Sequence, residues 1–318
     1  MKSVLFALLL GAALPAFAQD NPRVLLNTDR GPLLLELDQQ KAPNTVANFL
    51  TYVGDGSFDN TLVQRISRNF VIQGGAFKDN LTAITRRATI RSERGNGLSN
   101  EYGTIAMALS GNPPNRDSAS SDFFINTRAG GNSSLDTDFT VFGRVIFGLK
   151  TLQTLNNLPL YDQSETPVRM PVIKKAVRTT GFPILDLHTG AWYDPDNSGR
   201  GFSVEVAQAA GGDEAGNSPL LVVYWYDYAE GRQIWTTGAA PFNWGDSAVT
   251  LNMNITEGGQ FGADFDPTQV TSNPNWGTLT VRFTGCDSAV FSFDSELGQG
   301  EWNMQRITLP TRDVCVGQ

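Results

Sequence analysis

The sequence predicts a mainly β protein: a closed antiparallel barrel carrying two helices, followed by an all-β sandwich or barrel. Three observations carry that expectation. Short apolar runs recur along the chain, separated by turns rich in Gly, Asn and Asp. Only two stretches show helical spacing, and both precede Pro159. Composition breaks near residue 183: from Pro183 onward there are five Arg, no Lys and seventeen Asp or Glu, against nineteen basic and fifteen acidic residues before it. All six Trp (192, 225, 235, 244, 276 and 302) lie in the acidic part. Single cores stop growing at roughly 250–300 residues, so the expected division is 1–18, 19–182 and 183–318.

Taken in order, RVLLNTDRGPLLLELD (23–38) gives two apolar runs around Asp29, Arg30, Gly31 and Pro32, the pattern of a hairpin. In APNTVANFLTYVGDG, Pro43 stands near the start, Val46, Phe49, Leu50 and Val53 recur at helical spacing, and Gly54 stops the run. LVQRIS, FVIQGGAF, GTIAMAL, DFFINT and FTVFGRVI follow as strands, and LKTLQTLNNL is the second helix. Many short strands with two helices favour closure into a barrel. Beyond Trp192, the runs LLVVYWYDY, RQIWTTG, SAVTLNMNI, WGTLTVRF, SAVFSFDS and GEWNMQRITL alternate with turns, as in an all-β domain.

The first eighteen residues combine Lys2, an apolar run from Val4 to Leu14 and a small-x-small ending at Ala16 and Ala18, the pattern of a cleaved secretory signal. The run is shorter than the ~20 residues of a membrane helix, and no later segment approaches that length. The expectation is an exported, soluble chain beginning near Gln19, periplasmic or secreted, with neither lipid anchor nor membrane insertion. In an oxidising compartment Cys286 and Cys315 are expected to pair, closing a loop of roughly thirty residues for a stabilisation of ~3 kcal/mol.

The inventory excludes much chemistry. His188, the one histidine, lies in the connecting stretch FPILDLHTGAW and is expected on its surface. No nucleophile elbow pairs with it, which removes Ser-His-Asp and Cys-His hydrolysis. One His and two distant Cys do not make a zinc site. Neither a P-loop nor a dinucleotide fingerprint occurs, so no cofactor is expected. The acidity of the second part argues against nucleic acid as its partner.

The informative stretch is QRISRNFVIQGGAF, Gln64 to Phe77, which sets Arg65 and Gln73 beside Phe70 and Val71 and closes on a Gly-Gly pair. Taken alone, an exposed Arg is solvated surface and Phe70 with Phe124 is barrel core. With RGPLLLELDQQKAPNTVANFL, EYGTIAMAL, SSDFFINT and LDTDFTVFGRVIFGL in the same order, the region 22–180 resembles the cyclophilin family of peptidyl-prolyl cis-trans isomerases. The resemblance implies an eight-stranded antiparallel barrel capped by two helices, with a peptide groove on one outer face. It implies Arg65, Phe70 and Gln73 as catalytic residues, and Val71, Met107, Ala108, Asp122, Phe124, Leu135 and Phe139 as substrate-binding ones. The implied partners are proline-containing polypeptides. Departures from the family pattern are Ser134 where Trp is common, Phe139 for His, Asp122 for Gln and Leu109 for Asn, and a longer loop SGNPPNRDSASS. Asp122 and Leu109 leave open a peptide-binding chaperone with weak isomerase activity.

In the second part, Asp194, Asp196, Ser198 and Glu205 occupy positions one, three, five and twelve of an EF-hand pattern, with Gly199 at six. An EF-hand loop joins helices, whereas strand-like runs flank this one, so a hairpin turn is the preferred reading. The stretches GAWYDPDNSGRGFSVEV, YWYDYAEGRQIW and WGTLTVRFTGC resemble a Trp-rich β module of secreted proteobacterial proteins. In YWYDY, Tyr224, Tyr226 and Tyr228 share one strand face, and Trp225 and Asp227 the other. Core packing is preferred for most of these aromatics; the alternative is an exposed row that binds sugars or extended peptides, with an envelope or glycan ligand for the module.

Overall fold

Alternate residues of each strand face a barrel interior, and sixteen strands close into two barrels. The computed structural model describes residues 21–208, 219–260 and 262–308. The signal stretch and Cys315 lie outside them. The first barrel is built from β1 (Arg23–Thr28), β2 (Gly31–Leu37), β3 (Thr61–Ser67), β4 (Val71–Lys78), β5 (Thr104–Met107), β6 (Phe123–Asn126), β7 (Val141–Phe147) and β8 (Val172–Thr179). All pairs are antiparallel, in the order β1-β2-β7-β5-β6-β4-β3-β8, and β8 closes on β1.

Helix α1 (Pro43–Gly54) begins at Pro43, where the missing N–H costs nothing. It buries Val46, Phe49, Tyr52 and Val53. No side chain of its own caps it. The carboxylate of Glu93 does so instead, accepting the Asn44 and Thr45 backbone N–H groups at 3.0 and 2.8 Å. Phe49 then meets Phe58, Phe123 and Phe142 inside the barrel, with centroids 5.1–5.5 Å apart. Helix α2 (Leu149–Asn156) buries Leu152 and Leu155 at the other side of the same core.

The second barrel comprises β9 (Gly190–Tyr193), β10 (Gly201–Gln208), β11 (Pro219–Ala229), β12 (Arg232–Pro241), β13 (Ala248–Glu257), β14 (Thr271–Phe283), β15 (Ser288–Ser295) and β16 (Gly298–Arg306). Each strand from β10 to β16 pairs with the next, and β9 closes the ring between β16 and β10. The sandwich alternative is thereby replaced by a closed up-and-down barrel. Trp192, Trp225 and Trp276 enter its core, Trp244 and Trp302 are partly buried against it, and Trp235 is 48% exposed. The preference for core packing holds for the first five and fails for Trp235, Tyr226 and Tyr228, which are about half exposed.

The connecting segment differs from expectation. Phe182, Leu185 and Leu187 pack with Leu25, Leu34 and Phe147 of the first barrel, and with Cys286 of the second. His188 is fully buried, not a surface residue: its ring stacks on Phe283 at 3.6 Å and 1°, Nδ1 accepts Leu185 N–H at 3.1 Å, and Nε2 lies 3.1 Å from Gly285 O. A ring that can satisfy both nitrogens locally is tolerated in an apolar seam. Burial foremost pushes its pKa down to about 3, so it is neutral there.

The residues of the EF-hand pattern join β9 to β10, strand to strand. Asp194 spends its carboxylate on Asp196 N–H and Asn197 Nδ2 at 3.0 and 2.6 Å, as in an Asx turn, and Glu205 is exposed on β10. Among the described residues no three His, Cys, Asp or Glu gather to hold a metal ion. Nor is any described helix long and apolar enough to cross a membrane.

Candidate active site

Directly opposed residues of antiparallel strands share a sheet face. The registers Arg65↔Gln73, Gln73↔Phe124, Phe124↔Ala106 and Ala106↔Val141 therefore form one transverse row across β3, β4, β6, β5 and β7. The row is polar at the Arg65 end and apolar at the other. The inward neighbours Phe123, Ile125 and Ile105 belong to the barrel core, so the row lies on the outer face.

At the apolar end, Val71, Ala106, Phe124 and Val141 are buried together, with Phe70, Leu98, Ala108, Leu135 and Phe139 packed against them. Phe124 and Phe139 meet edge to face at 5.4 Å and 81°. Loop 127–140 supplies Leu135 and Phe139, and buried amides hold that loop. Asn132 Nδ2 donates to Phe70 O at 2.9 Å and to Asn126 Oδ1 at 2.7 Å, while Asn126 Nδ2 donates to Asn100 Oδ1 at 3.0 Å.

Met107 is the exception among the expected pocket residues. It is buried in the barrel core with Ile105 and Phe123, whereas Ala106 and Ala108 face the apolar cluster. The parity of β5 requires this, and Ala106, Val141 and Leu98 stand where Met107 was expected.

At the polar end, Arg65 Nη1 donates to Gln73 Oε1 at 3.2 Å and Nε to Glu165 Oε2 at 2.5 Å. Glu165 was not foreseen. It lies a hundred residues from Arg65 on the loop before β8, and its backbone O accepts Ile66 N–H at 2.7 Å, which pins that loop to β3. The hydrogen bond from Arg65, then that from Ser67, holds its carboxyl below the usual range.

The Gly-Gly pair also has a structural reason. Gly75 has φ +86°, and a Cβ there would collide with Ser121 O, so the strand after Gln73 passes against the loop carrying Asp122. The Asp122 carboxylate accepts from Arg86 Nη2 at 2.8 Å. Burial raises its pKa, and Arg86 offsets this only in part. Gln73, Asp122, Leu109 and Arg86 line a cavity of about 510 Å³ beside the row. The long loop 110–121 is held over this side by Arg116, whose Nε donates to Asp138 at 2.8 Å.

A guanidinium and an amide fixed at the edge of an apolar surface can bind a chain through an apolar side chain and place a donor beside its backbone. Nucleophile, acid and metal are not needed for that.

Comparison with known proteins covers the same region. The model for cyclophilin type peptidyl-prolyl cis-trans isomerase/CLD matches residues 23–178. A peptidyl-prolyl cis-trans isomerase of Acinetobacter baylyi is 38% identical over 168 residues, 51% of this chain and 87% of its own. Peptidyl-prolyl cis-trans isomerase A of Dickeya dadantii is 35% identical over 162 residues, 50% of this chain and 84% of its own. Among solved structures, a cyclophilin type isomerase of Cryptosporidium parvum, crystallised in the presence of the dipeptide ala-pro, is 29% identical. It covers 49% of this chain and 97% of its own, with a TM-score of 0.44.

Proposed function

Because the chain belongs to the cyclophilin-type peptidyl-prolyl cis-trans isomerase family and is such an isomerase, we propose that Arg65 catalyses the rotation as a fixed donor to the prolyl nitrogen. The X-Pro bond resists rotation by ~18–20 kcal/mol because twisting removes amide resonance. At the twisted state the prolyl nitrogen regains a lone pair and becomes an acceptor. A donor aimed there binds the transition state better than either planar isomer, which is catalysis by differential binding.

The observation that carries this reading is the row itself: Arg65 and Gln73 are hydrogen-bonded neighbours on the same face as Phe124. Gln73 spends its oxygen on Arg65 and keeps its NH₂ for the substrate carbonyl. Phe70, Val71, Phe124, Leu135 and Phe139 hold the proline ring, with Ala108 beside them. Glu165 takes one edge of the guanidinium and fixes its rotation, leaving the remaining N–H groups for the substrate.

The cell address belongs to the same proposal. The leader pattern of residues 1–18 directs export to the periplasm or medium, Cys286 pairs with Cys315 there, and the clients are exported proteins with X-Pro bonds. The module from residue 183 onward is an accessory unit that brings the isomerase to an envelope glycan. The mechanism is tested by a protease-free assay on a proline tetrapeptide, comparing the mature protein with Arg65→Ala. Loss of most of the acceleration supports it; equal acceleration in the two proteins rejects the Arg65 mechanism, and equal rates near the uncatalysed value leave a peptide-binding chaperone. Cell fractionation with N-terminal sequencing checks the address, which fails if the leader is retained in the cytoplasm.

A further inference from the structure

The second barrel has a seam end and a free end. Segments 242–247 and 284–287 lie at the seam: Trp244 and Cys286 join the cluster with the first barrel, and Asp246 O accepts Ile184 N–H at 2.8 Å. In an up-and-down barrel the turns β9 to β10, β11 to β12 and β15 to β16 then lie at the opposite mouth. There Trp225, Trp276, Trp302 and Phe293 wall a cavity of about 160 Å³. Trp225 meets Trp276, Phe293 and Trp302 edge-on at 5.4, 5.2 and 5.3 Å, and Phe293 stacks on Trp302 at 4.3 Å.

An ion pair is set among these rings. Asp227 Oδ2 accepts from Trp225 Nε1 at 3.1 Å and from Arg200 Nη1 at 3.5 Å, and Oδ1 from Tyr228 N–H at 2.8 Å. The Arg200 guanidinium lies 4.5 Å over the Trp302 ring. The Asp227 side chain is only 16% exposed. Apolar residues would stabilise a barrel mouth at least as well as a half-buried charge pair, so the pair calls for a ligand.

We propose that this mouth binds one pyranose ring of a neutral glycan. Size, charge and polar pattern converge on that class. An apolar cavity of about 150 Å³ holds one benzene ring, so this open mouth takes the apolar side of one six-membered ring and leaves its substituents at the rim. Arg200 and Asp227 cancel each other's charge, so the site selects a neutral ligand, and the guanidinium already covers the Trp302 face that an ammonium would seek. A proline ring would match the walls but leave the remaining Arg200 donors facing it without acceptors. Sugar hydroxyls, which both donate and accept, meet Arg200 and Asp227 together, while the C–H groups of the ring meet the aromatic wall of Trp225, Trp276 and Phe293. Tyr228, at the rim, also belongs to the outer row of Tyr226 and Trp235, which face each other across β11 and β12 and are about half exposed. Sugar units leaving the cavity meet that aromatic surface. The inference deepens the accessory-module reading and rests on none of the isomerase chemistry.

The test is titration of the mature protein with maltotetraose, cellotetraose and chitotetraose, read by tryptophan fluorescence. Three of the six Trp line the cavity. A saturable change with at least one sugar is expected, with Kd on the order of 1 mM. Asp227→Asn weakens it at least about tenfold. Tyr228→Ala, at a half-exposed side chain whose loss leaves the fold intact, weakens it several-fold while isomerase activity is unchanged. Arg65→Ala binds sugar as the wild type does, so failure of the isomerase mechanism and failure of this site are distinguishable. No saturable response to any of the three sugars overturns the proposal. So does equal saturation in wild type, Asp227→Asn and Tyr228→Ala, or saturation only with benzyltrimethylammonium or a proline-rich hexapeptide.

Discussion

In the first barrel the order β1-β2-β7-β5-β6-β4-β3-β8 separates sequence neighbours, whereas in the second each strand from β10 to β16 lies beside the next. Non-neighbouring pairs need long connections. Segments 79–103, 108–122, 127–140 and 157–171 therefore run over the outside of the first barrel, where they bring Asp122, Leu135, Phe139 and Glu165 to one face. The meander has turns of two to four residues at 230–231, 284–287 and 296–297 and longer connections at 194–200, 242–247 and 258–270, but each joins adjacent strands at a barrel end. Strand order decides where a barrel keeps its chemistry: crossover connections lie along the wall of the first, whereas the connections of a meander stay at its ends.

The comparison is broken most directly at Arg65. If the wall of the first barrel is the catalytic surface, Arg65→Ala lowers kcat/KM for a proline tetrapeptide by roughly 10²–10³-fold, the loss typical of one preorganised donor, and leaves the thermal midpoint within about 2 °C. A loss of activity accompanied by unfolding would make Arg65 structural.

The next effect belongs to the second barrel and its seam. His188 binds no proton in the native state until pH falls to about 3, whereas an unfolded histidine protonates near 6.5. Between these values the unfolded chain holds more protons, so stability falls as pH falls. The contribution is complete above about pH 6.5, and about 2 kcal/mol of it is gone at pH 5. Urea unfolding followed by tryptophan fluorescence reads the second barrel alone, since every Trp lies there. Equal midpoints at pH 7 and pH 5 would remove His188 as the seam's weak point.

Much of this arrangement was legible from the residues. Period-two runs marked the strands, and Pro43 with Gly54 bounded α1. The ordered motifs pointed to Arg65, Gln73 and the aromatic residues of the row. The parity of TIAMA already separates Ile105 and Met107 from Ala106 and Ala108, so the misplacement of Met107 was avoidable. Glu165, Glu93 and Arg200 were not legible: each acts on a partner 100, 49 or 27 residues away, through a loop whose path no local pattern fixes. His188 was misjudged because a lone polar residue in a connecting stretch carries no sign of the apolar surfaces that close on it.

A smaller effect probes the loop that covers the first barrel's wall. Asn132→Ala leaves the Asn126 side-chain oxygen unpaired in a buried network and removes one of two donors to the Phe70 carbonyl, which keeps Thr127 N–H. It should cost about 1–3 kcal/mol of stability and raise KM more than it lowers kcat, because Leu135 and Phe139 lose their support. An unchanged KM would mean that the loop does not shape the pocket.

The smallest effect is the most discriminating for the Arg65 geometry. Glu165 acts on the guanidinium in two opposed ways. It fixes the fork's rotation, which favours a donor aimed at one nitrogen, and it draws positive charge away from the substrate, which weakens that donor. Both side chains of the pair are about two-fifths to one-half exposed, so either influence is limited to roughly 1 kcal/mol, or about fivefold in rate. The orienting influence is the larger, because an arginine freed of Glu165 keeps one protein partner, Gln73, and samples several rotamers. Glu165→Gln should therefore lower kcat two- to fivefold with KM unchanged, and Glu165→Ala somewhat further, since glutamine retains an acceptor for Nε. A rise in kcat in Glu165→Gln would show that the carboxylate restrains the donor, and that the wall of the first barrel is tuned below its catalytic limit.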